Sequence, residues 1–269
     1  LDRWLASAFH AIVRDTRAAL EGRRIREAAE LVYGRVPSTI RRYIARGGSP
    51  GPALQNVGVA WATLLAPVTP HLAEELGETK FPGLVARAPF PTVEDFPLDE
   101  SADATESYLD RVEDDLRPIV RMATERREPP EGAVFFVADA WKRHVEEWTR
   151  EALAANPKAL PVAAVLGRAS AHPDLAAHRG DVAKYVTRIA PALRTEPAPT
   201  ASVDELGALK GASAYLARRF GLTSVTVLPE REGAEHDPAG RRDRARPGRP
   251  AFFLYGATGL RPGSTPTES

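Results

Sequence analysis

Phosphate binding is the chemistry that the residue types of this sequence favour most. Five arginines lie within nine residues near the carboxyl end: Arg241, Arg242, Arg244, Arg246 and Arg249. A guanidinium is planar and permanently charged, and its fork of N–H groups can bind two oxygens of one phosphate. Two glycines and two prolines restrict the same segment, which lowers the entropy cost of presenting the arginines. We call residues 240–250 the arginine loop and predict that it contacts a polyanion. The alternative, favoured by composition alone, is a solvated loop between two strands.

A second group of arginines lies in the first fifty residues: Arg35, Arg41, Arg42 and Arg46. Those fifty residues carry a net charge of +5, whereas residues 79–131 carry −6 and the whole chain carries 0. Charge is therefore segregated along the chain. Arg41, Arg42 and Arg46 are candidates for further polyanion contacts, and the alternative, favoured by the sequence before any resemblance is considered, is an exposed helix face opposite an apolar stripe.

No constellation typical of catalysis or metal binding is visible in the sequence. There is no cysteine, and none of the six histidines has a second histidine at the i,i+4 spacing of a helical metal site. The glycine-rich motifs of nucleotide sites and the GxSxG elbow do not occur. Adjacent carboxylates such as Glu74 and Glu75 diverge by about 100° on a helix, so they do not pair as acid and base. We therefore expect no catalytic residue and no metal site in these 269 residues.

Length and composition favour two ordinary domains. The chain has 269 residues, of which 43% are hydrophobic and 27% charged, and these values argue against a disordered or fibrous protein. No run approaches the roughly eighteen apolar residues of a membrane span. The opening LDRWLASAFH lacks the basic start and apolar stretch of a secretory signal, so with no cysteine we expect a cytoplasmic location.

Apolar residues at helical spacing predict a bundle in the first part of the chain. The stripes cover residues 1–20, 25–44 and 54–65, and a short fourth helix ends near Gly77. Pro37, inside the second stripe, predicts a kink or a break. Trp61 lies on the third stripe, which favours core packing over stacking on a base. Brief loops between these helices predict an antiparallel bundle over residues 1–78.

The rest of the chain predicts a small α+β domain. Residues 79–102, with prolines among acidic residues, predict an irregular linker. A helix, a buried strand, several helices and two more strands follow, with the strands at residues 133–138, 223–228 and 251–255. This order indicates a mostly α protein in which a helix bundle precedes an α+β domain over residues 103–256. Ser202 and Glu205 predict a capping box before the last helix, and residues 257–269 predict a disordered tail.

Four strings resemble one family of enzymes. LLAPVTPHLAEEL, residues 64–76, resembles the segment closing the helical anticodon-binding domain of class I aminoacyl-tRNA synthetases of the Leu, Ile, Val and Met group. The opening string LDRWLASAFHAIVRDTRAALEGRRIREAAELVY is similar to the first two helices of that domain. ADAWKRHVEEW and HDPAGRRDRARPGRPAFFLYG, residues 138–148 and 236–256, resemble the end of leucyl-tRNA synthetases of the archaeal and eukaryotic cytosolic type. Within the group, only the leucine enzymes of that type join both resemblances.

The resemblance implies the carboxyl-terminal part of such a synthetase, with catalytic and editing domains before Leu1 as its covalent partners. It implies that the bundle lies along the tRNA and that residues 103–256 reach the body and long variable arm of leucine tRNA. Both arginine groups would then contact tRNA. The family's catalytic motifs, His-Ile-Gly-His and Lys-Met-Ser-Lys-Ser, do not occur here. We therefore expect no cofactor in this chain, although the whole synthetase would use ATP, and we expect neither membrane nor DNA as a partner.

Two other classes of function stay open. The chain could be a free-standing tRNA-binding module that acts in trans, or a helical protein-interaction protein whose basic loop is only solvated. Salt-dependent tRNA binding separates the second class from the others, because neutralising several phosphates makes affinity fall steeply with salt.

Overall fold

The computed structural model describes residues 1–173, 175, 179–198 and 202–256. The chain divides into two compact units, and the division falls between Ser107 and Tyr108. The predicted fold class, a mostly α protein with a helix bundle followed by a small α+β domain, is confirmed. The tail predicted at residues 257–269 lies outside the described residues. Within the described part, no helix combines the length and apolar character needed to cross a membrane.

The first unit is a helix bundle whose long helices bury an apolar face. Its helices are α1 (Asp2–Glu21), α2 (Ile25–Glu30), α3 (Val36–Ala45), α4 (Pro52–Leu65) and α5 (Pro70–Gly77). Leu5, Phe9 and Ile12 of α1 recur every three or four residues and are fully buried. The stripe predicted from the sequence is therefore the face that packs.

Pro37 changes the register of the second helix without breaking it. A π-helical turn, Leu31–Arg35, joins α2 to α3, and the N–H of Val36 donates to the carbonyl five residues before it. The next carbonyl in this register belongs to Val32, and its partner would be the nitrogen of Pro37, which carries no hydrogen. The indole Nε1 of Trp61 donates to the Val32 carbonyl instead, at 2.9 Å. A side chain from α4 thus satisfies the group that the proline leaves unpaired.

Residues 78–99 pack on the bundle without forming a long helix. They contain two 3-10 turns, and they contribute Val85 and Phe96 to the same core as the helices. The Glu74 carboxylate accepts the backbone N–H groups of Val85 at 2.8 Å and Ala86 at 3.0 Å. An irregular segment is thereby fixed by buried side chains and by a carboxylate that satisfies its backbone.

The second unit contains a three-stranded sheet and the helices around it. Its elements in chain order are α6 (Glu100–Glu125), whose first residues belong to the first unit, β1 (Gly132–Val137), α7 (Ala140–Ala155), α8 (Val162–Ala171), α9 (Arg179–Leu193), α10 (Glu205–Phe220), β2 (Ser224–Pro229) and β3 (Ala251–Tyr255). The strand order is β2-β1-β3, with β1 parallel to β2 and antiparallel to β3. Phe135 in the centre of β1 pairs with Val227 and Phe252. All of β1 is buried, which explains its unbroken apolar run.

The two faces of the sheet are covered by different parts of the chain. Phe135 points to the face that packs against α6 and α10. Val134 and Phe136 point to the other face, where they form a core with Phe253 and with Ala245 of the arginine loop. Helices α7, α8 and α9 share a separate core. The arginine loop is therefore packed against the sheet through a buried alanine.

The predicted capping box at the start of α10 is wrong. The helix begins at Glu205, and the side chain of Asp204 accepts the N–H of Gly207 at 3.0 Å. Asp204 precedes the first helical residue directly, so its carboxylate reaches the third N–H of the helix. Ser202 and Glu205 both bind Arg143 instead, each at 2.9 Å.

Trp61→Phe tests the indole bond at the π turn. The variant keeps most of the ring contacts but leaves the Val32 carbonyl without its donor, so we expect the free energy of unfolding to fall by about 1–3 kcal/mol. Urea unfolding of the full chain measures this. Trp148→Phe is the control, because the Trp148 indole makes no hydrogen bond within the described residues. Equal losses in the two variants would show that the bond contributes nothing.

Candidate nucleic-acid interface

The arginine loop begins at a buried carboxylate. Asp237 is only 8% exposed and accepts the backbone N–H groups of Arg241 at 2.8 Å and Arg242 at 2.7 Å. A 3-10 turn, Arg242–Arg244, follows at once. The carboxylate satisfies two N–H groups that a turn of this kind leaves unpaired. The backbone that carries the first three arginines is therefore fixed.

The far end of the loop is a tight two-residue turn. Arg246 and Arg249 exchange two backbone hydrogen bonds of 2.9 Å across Pro247 and Gly248. Gly248 has a φ of +76°, in the left-handed region that a side chain disfavours. Proline followed by such a glycine is the sequence of a type II turn. The geometry of this turn therefore explains why Pro247 and Gly248 occur at these two positions.

Arg246 is used inside the second unit. Its side chain is 14% exposed, and its Nη2 atom lies 2.8 Å from Glu196 and 3.7 Å from Glu146. Arg249, more exposed, lies 3.8 Å from the other oxygen of Glu196. Although burial opposes the change, the hydrogen bond and charge of Arg246 hold the pKa of Glu196 below its usual value. Arg246 thus ties the end of the loop to the chain that follows α9, and its contact with tRNA stays a prediction.

Lys142 of α7 binds the middle of the arginine loop from its buried side. This lysine is 2% exposed, and its Nζ atom donates to Glu230 Oε1 at 2.6 Å and to the carbonyls of Asp243 at 3.0 Å and Ala245 at 2.9 Å. Burial lowers the pKa of Lys142 and raises that of Glu230, and their mutual hydrogen bond opposes both shifts. The two loop carbonyls flank Arg244, so the ammonium fixes the backbone on both sides of that residue.

Arg241 and Arg244 point outward. Both are exposed, and within the described residues neither guanidinium has an acidic partner. Arg242 is half-buried and lies 3.7 Å from its neighbour Asp243. Arg188 of α9, also exposed, donates to the Asp243 carbonyl at 2.6 Å. The exposed positive charge of the loop is therefore concentrated on Arg241 and Arg244, with Arg188 beside them.

Sequence reasoning missed Lys142 and Arg188, whose side chains donate to the carbonyls of the arginine loop. The signal for Lys142 was available, because it shares a helical stripe with Val145 and Thr149, both buried. A lysine on an apolar stripe is rarely fully buried unless it has partners. Arg188 gave no such signal, since its contact with the loop joins residues 55 positions apart.

Two members of the second arginine group surround one buried carboxylate. Glu106, 5% exposed, accepts from Arg46 at 2.9 Å and from Arg42 at 3.2 Å, and the Arg46 side chain is 6% exposed. Two guanidiniums around one buried carboxylate form an internal charge network, in which the attraction between opposite charges offsets the free-energy cost of desolvating them. Arg41 is exposed. The tRNA contacts predicted for these three arginines stay predictions.

The described residues contain no group of three or more His, Asp or Glu side chains that could hold a metal ion. Two of the described histidines, His144 and His172, have ring centroids 5.6 Å apart. The ring beside them is that of Trp148, which is not a metal ligand.

Comparisons with known proteins agree with the sequence resemblance. A family model described as the anticodon-binding domain of tRNA ligase matches residues 2–128. The leucine–tRNA ligase of Methanothrix thermoacetophila is 31% identical over 255 residues, which are 94% of this chain and 26% of that protein. Those of Methanosarcina acetivorans and Pyrococcus abyssi are 28% and 26% identical, again over 94% of this chain and about a quarter of their own length. The chain therefore spans about a quarter of the relatives that it matches.

Arg46→Met tests the internal role of the second arginine group. The change leaves the buried Glu106 with weaker compensation, so we expect the free energy of unfolding to fall by about 3 kcal/mol. Arg41→Met is the matched control, because Arg41 is exposed on α3, which ends just before Arg46, and its loss is expected to cost about 0.5 kcal/mol or less. Thermal and urea unfolding measure both. A loss for Arg46→Met as small as that of the control would contradict the network.

Proposed function

We propose that this chain, which belongs to the leucyl-tRNA synthetase family, is the tRNA-binding portion of such an enzyme. The observation that carries the proposal is the arginine loop itself, which is fixed at both ends and in the middle. Arg241 and Arg244 stay exposed there, with no acidic partner among the residues that the structure describes. A fixed loop with unneutralised guanidiniums is suited to a rigid polyanion. The match of residues 2–128 of the same chain to an anticodon-binding domain supports tRNA as this polyanion.

The proposed contacts are to phosphates rather than to bases. Guanidiniums on a packed loop can approach the backbone of a folded RNA, and such contacts set position and affinity without reading sequence. We propose that discrimination comes from shape, with the second unit reaching the body and long variable arm of leucine tRNA. Double-stranded RNA is recognised mainly in this way, because its deep, narrow major groove hides the base edges from side chains.

We propose that aminoacylation is carried out by catalytic and editing domains outside these 269 residues. The relatives named leucine–tRNA ligase are about four times as long as the part that matches here. ATP would then bind elsewhere, and this chain would hold no cofactor. A free-standing module that binds tRNA in trans is the alternative, and it predicts the same loop contacts. A protein-interaction role predicts no salt-dependent tRNA binding at all.

Replacing Arg241 and Arg244 by glutamine tests the proposed contacts. Glutamine removes the charge and keeps much of the side-chain length. We expect affinity for a leucine tRNA transcript to fall on the order of tenfold per lost contact, and the slope of log affinity against log salt to fall by up to about 0.9 per contact. The slope value is that of duplex DNA. Electrophoretic mobility shift or fluorescence anisotropy over a salt series measures both quantities.

The matched control replaces Arg26 and Arg121 by glutamine. Each lies in an exposed ion pair on another helix, so the control removes the same charge with little expected loss of stability. Equal weakening of tRNA binding in the control would show that the effect depends only on the net charge of the chain. Unchanged affinity and slope in the loop variant would contradict the proposal. A loss confined to leucine tRNA, with a second tRNA unaffected, would show that the loop senses arm geometry.

A further inference from the structure

We propose that Lys142 is a positioning residue, which holds the arginine loop in the shape that contacts RNA phosphate. The inference rests on the proposed function, because it concerns how the same loop presents its charge. Lys142 is only 2% exposed, which leaves too little surface to bind a ligand. Its effect on binding would pass through the backbone carbonyls that it holds.

The geometry around Lys142 uses its full bonding capacity. An ammonium group has three N–H donors, and here it has three acceptors within 3.0 Å: the Glu230 carboxylate and the carbonyls of Asp243 and Ala245. The two carbonyls belong to residues on either side of Arg244. No uncharged side chain of this length supplies three donors. Removing the lysine therefore takes a donor from two loop carbonyls and from a buried carboxylate, and the Asp243 carbonyl keeps only the bond from Arg188.

The partner of Lys142 also connects the loop to the rest of the second unit. Glu230 directly follows β2, and its other oxygen lies 3.4 Å from the backbone nitrogen of Asp139, just before α7. One buried ion pair thus joins the end of a strand, the start of a helix and the middle of the loop. The position of Arg244 is set by the same bonds that hold the sheet against α7.

A second cation shares one of these acceptors. The Asp243 carbonyl accepts from Lys142 Nζ and from Arg188 Nη2. Arg188 is exposed, so its guanidinium lies at the surface, where it contacts Asp243, the residue that precedes Arg244 in the loop. Lys142 holds the carbonyl from the buried side and Arg188 reaches it from the exposed side. We infer that Arg188 and Arg244 form a paired site for RNA phosphate, which is retained only while Lys142 fixes the carbonyl between them.

Lys142→Met in the full chain is the primary test, with Lys210→Met as the matched control. Methionine fills a similar volume without donors, and Lys210 is an exposed lysine on α10. We expect Lys142→Met to weaken binding of a leucine tRNA transcript at least tenfold and to lower the salt slope, as expected for the loss of Arg241 and Arg244. Adding Lys142→Met to the variant that lacks both arginines should then weaken binding much less than it does alone. Lys210→Met should change affinity less than threefold.

Trypsin gives a reading of the loop that does not depend on RNA. Cleavage after Arg241, Arg242 or Arg244 requires the loop to leave its packed shape, and mass spectrometry identifies the cut. We expect Lys142→Met to raise the rate of these cleavages at least tenfold in conditions where unfolding remains a single cooperative transition. Unchanged cleavage would overturn the inference.

The double variant Lys142→Met, Glu230→Met separates positioning from stability. Replacing a buried ion pair by apolar side chains of similar volume often restores stability that the loss of one partner removes. We expect the melting temperature to recover towards that of the unaltered chain while tRNA affinity and trypsin resistance stay low. Recovery of affinity together with stability would overturn the inference, since Lys142 would then act only on the fold.

The two proposals fail in different ways. If the unaltered chain binds tRNA without salt dependence or not at all, the proposed function fails. The paired phosphate site of Arg188 and Arg244 fails with it, but the trypsin cleavage rate still shows whether Lys142 fixes the loop. If the unaltered chain binds as expected and Lys142→Met binds equally well, the proposed function stands and the positioning role is wrong. Arg188→Gln distinguishes the paired site, because it should weaken binding without faster cleavage after Arg244.

Discussion

The second unit depends on satisfying one buried positive charge. Lys142 lies beneath the arginine loop, where an ammonium without acceptors would be prohibitively costly. Glu230 supplies the opposite charge, and the Asp243 and Ala245 carbonyls accept the remaining two hydrogens. The loop can therefore pack against the sheet only with its backbone turned inward at these two residues. That constraint leaves the intervening Arg244 exposed, so desolvation of one charge determines where another is presented.

The first unit solves a related problem with different groups. The π turn created around Pro37 leaves the Val32 carbonyl without a backbone donor, and the Trp61 indole supplies one. Arg42 and Arg46 likewise supply donors to the buried Glu106. In each case a polar group inside the protein is matched by a side chain distant in sequence. Polar satisfaction, as well as apolar packing, therefore determines which side chains remain available for a partner.

Periodicity predicted the elements because apolar spacing is local. The buried stripe of α1 and the apolar run of β1 both follow from the geometry of one helix or strand, and both were found where expected. Partners of charged residues are not local: Arg46 pairs across 60 positions and Lys142 across 88. The sequence could identify the arginine groups but could not assign Arg246 or Arg46 to internal pairs. The error at α10 was local, since Asp204 competed with Ser202 for the same cap.

The arginine count overstates the charge available for binding. Arg246 neutralises Glu196 in the second unit, and Arg42 shares Glu106 with Arg46 in the first. An arginine already paired in a buried site would have to exchange or share that partner to bind phosphate, so its contact with phosphate costs more than that of an arginine without such a pair. Internal arginines instead hold the backbone still, and exposed arginines on a fixed backbone lose less entropy on binding. Within such a cluster, the guanidiniums that are paired inside the protein fix the backbone, and the exposed guanidiniums on that backbone therefore lose less entropy when they bind.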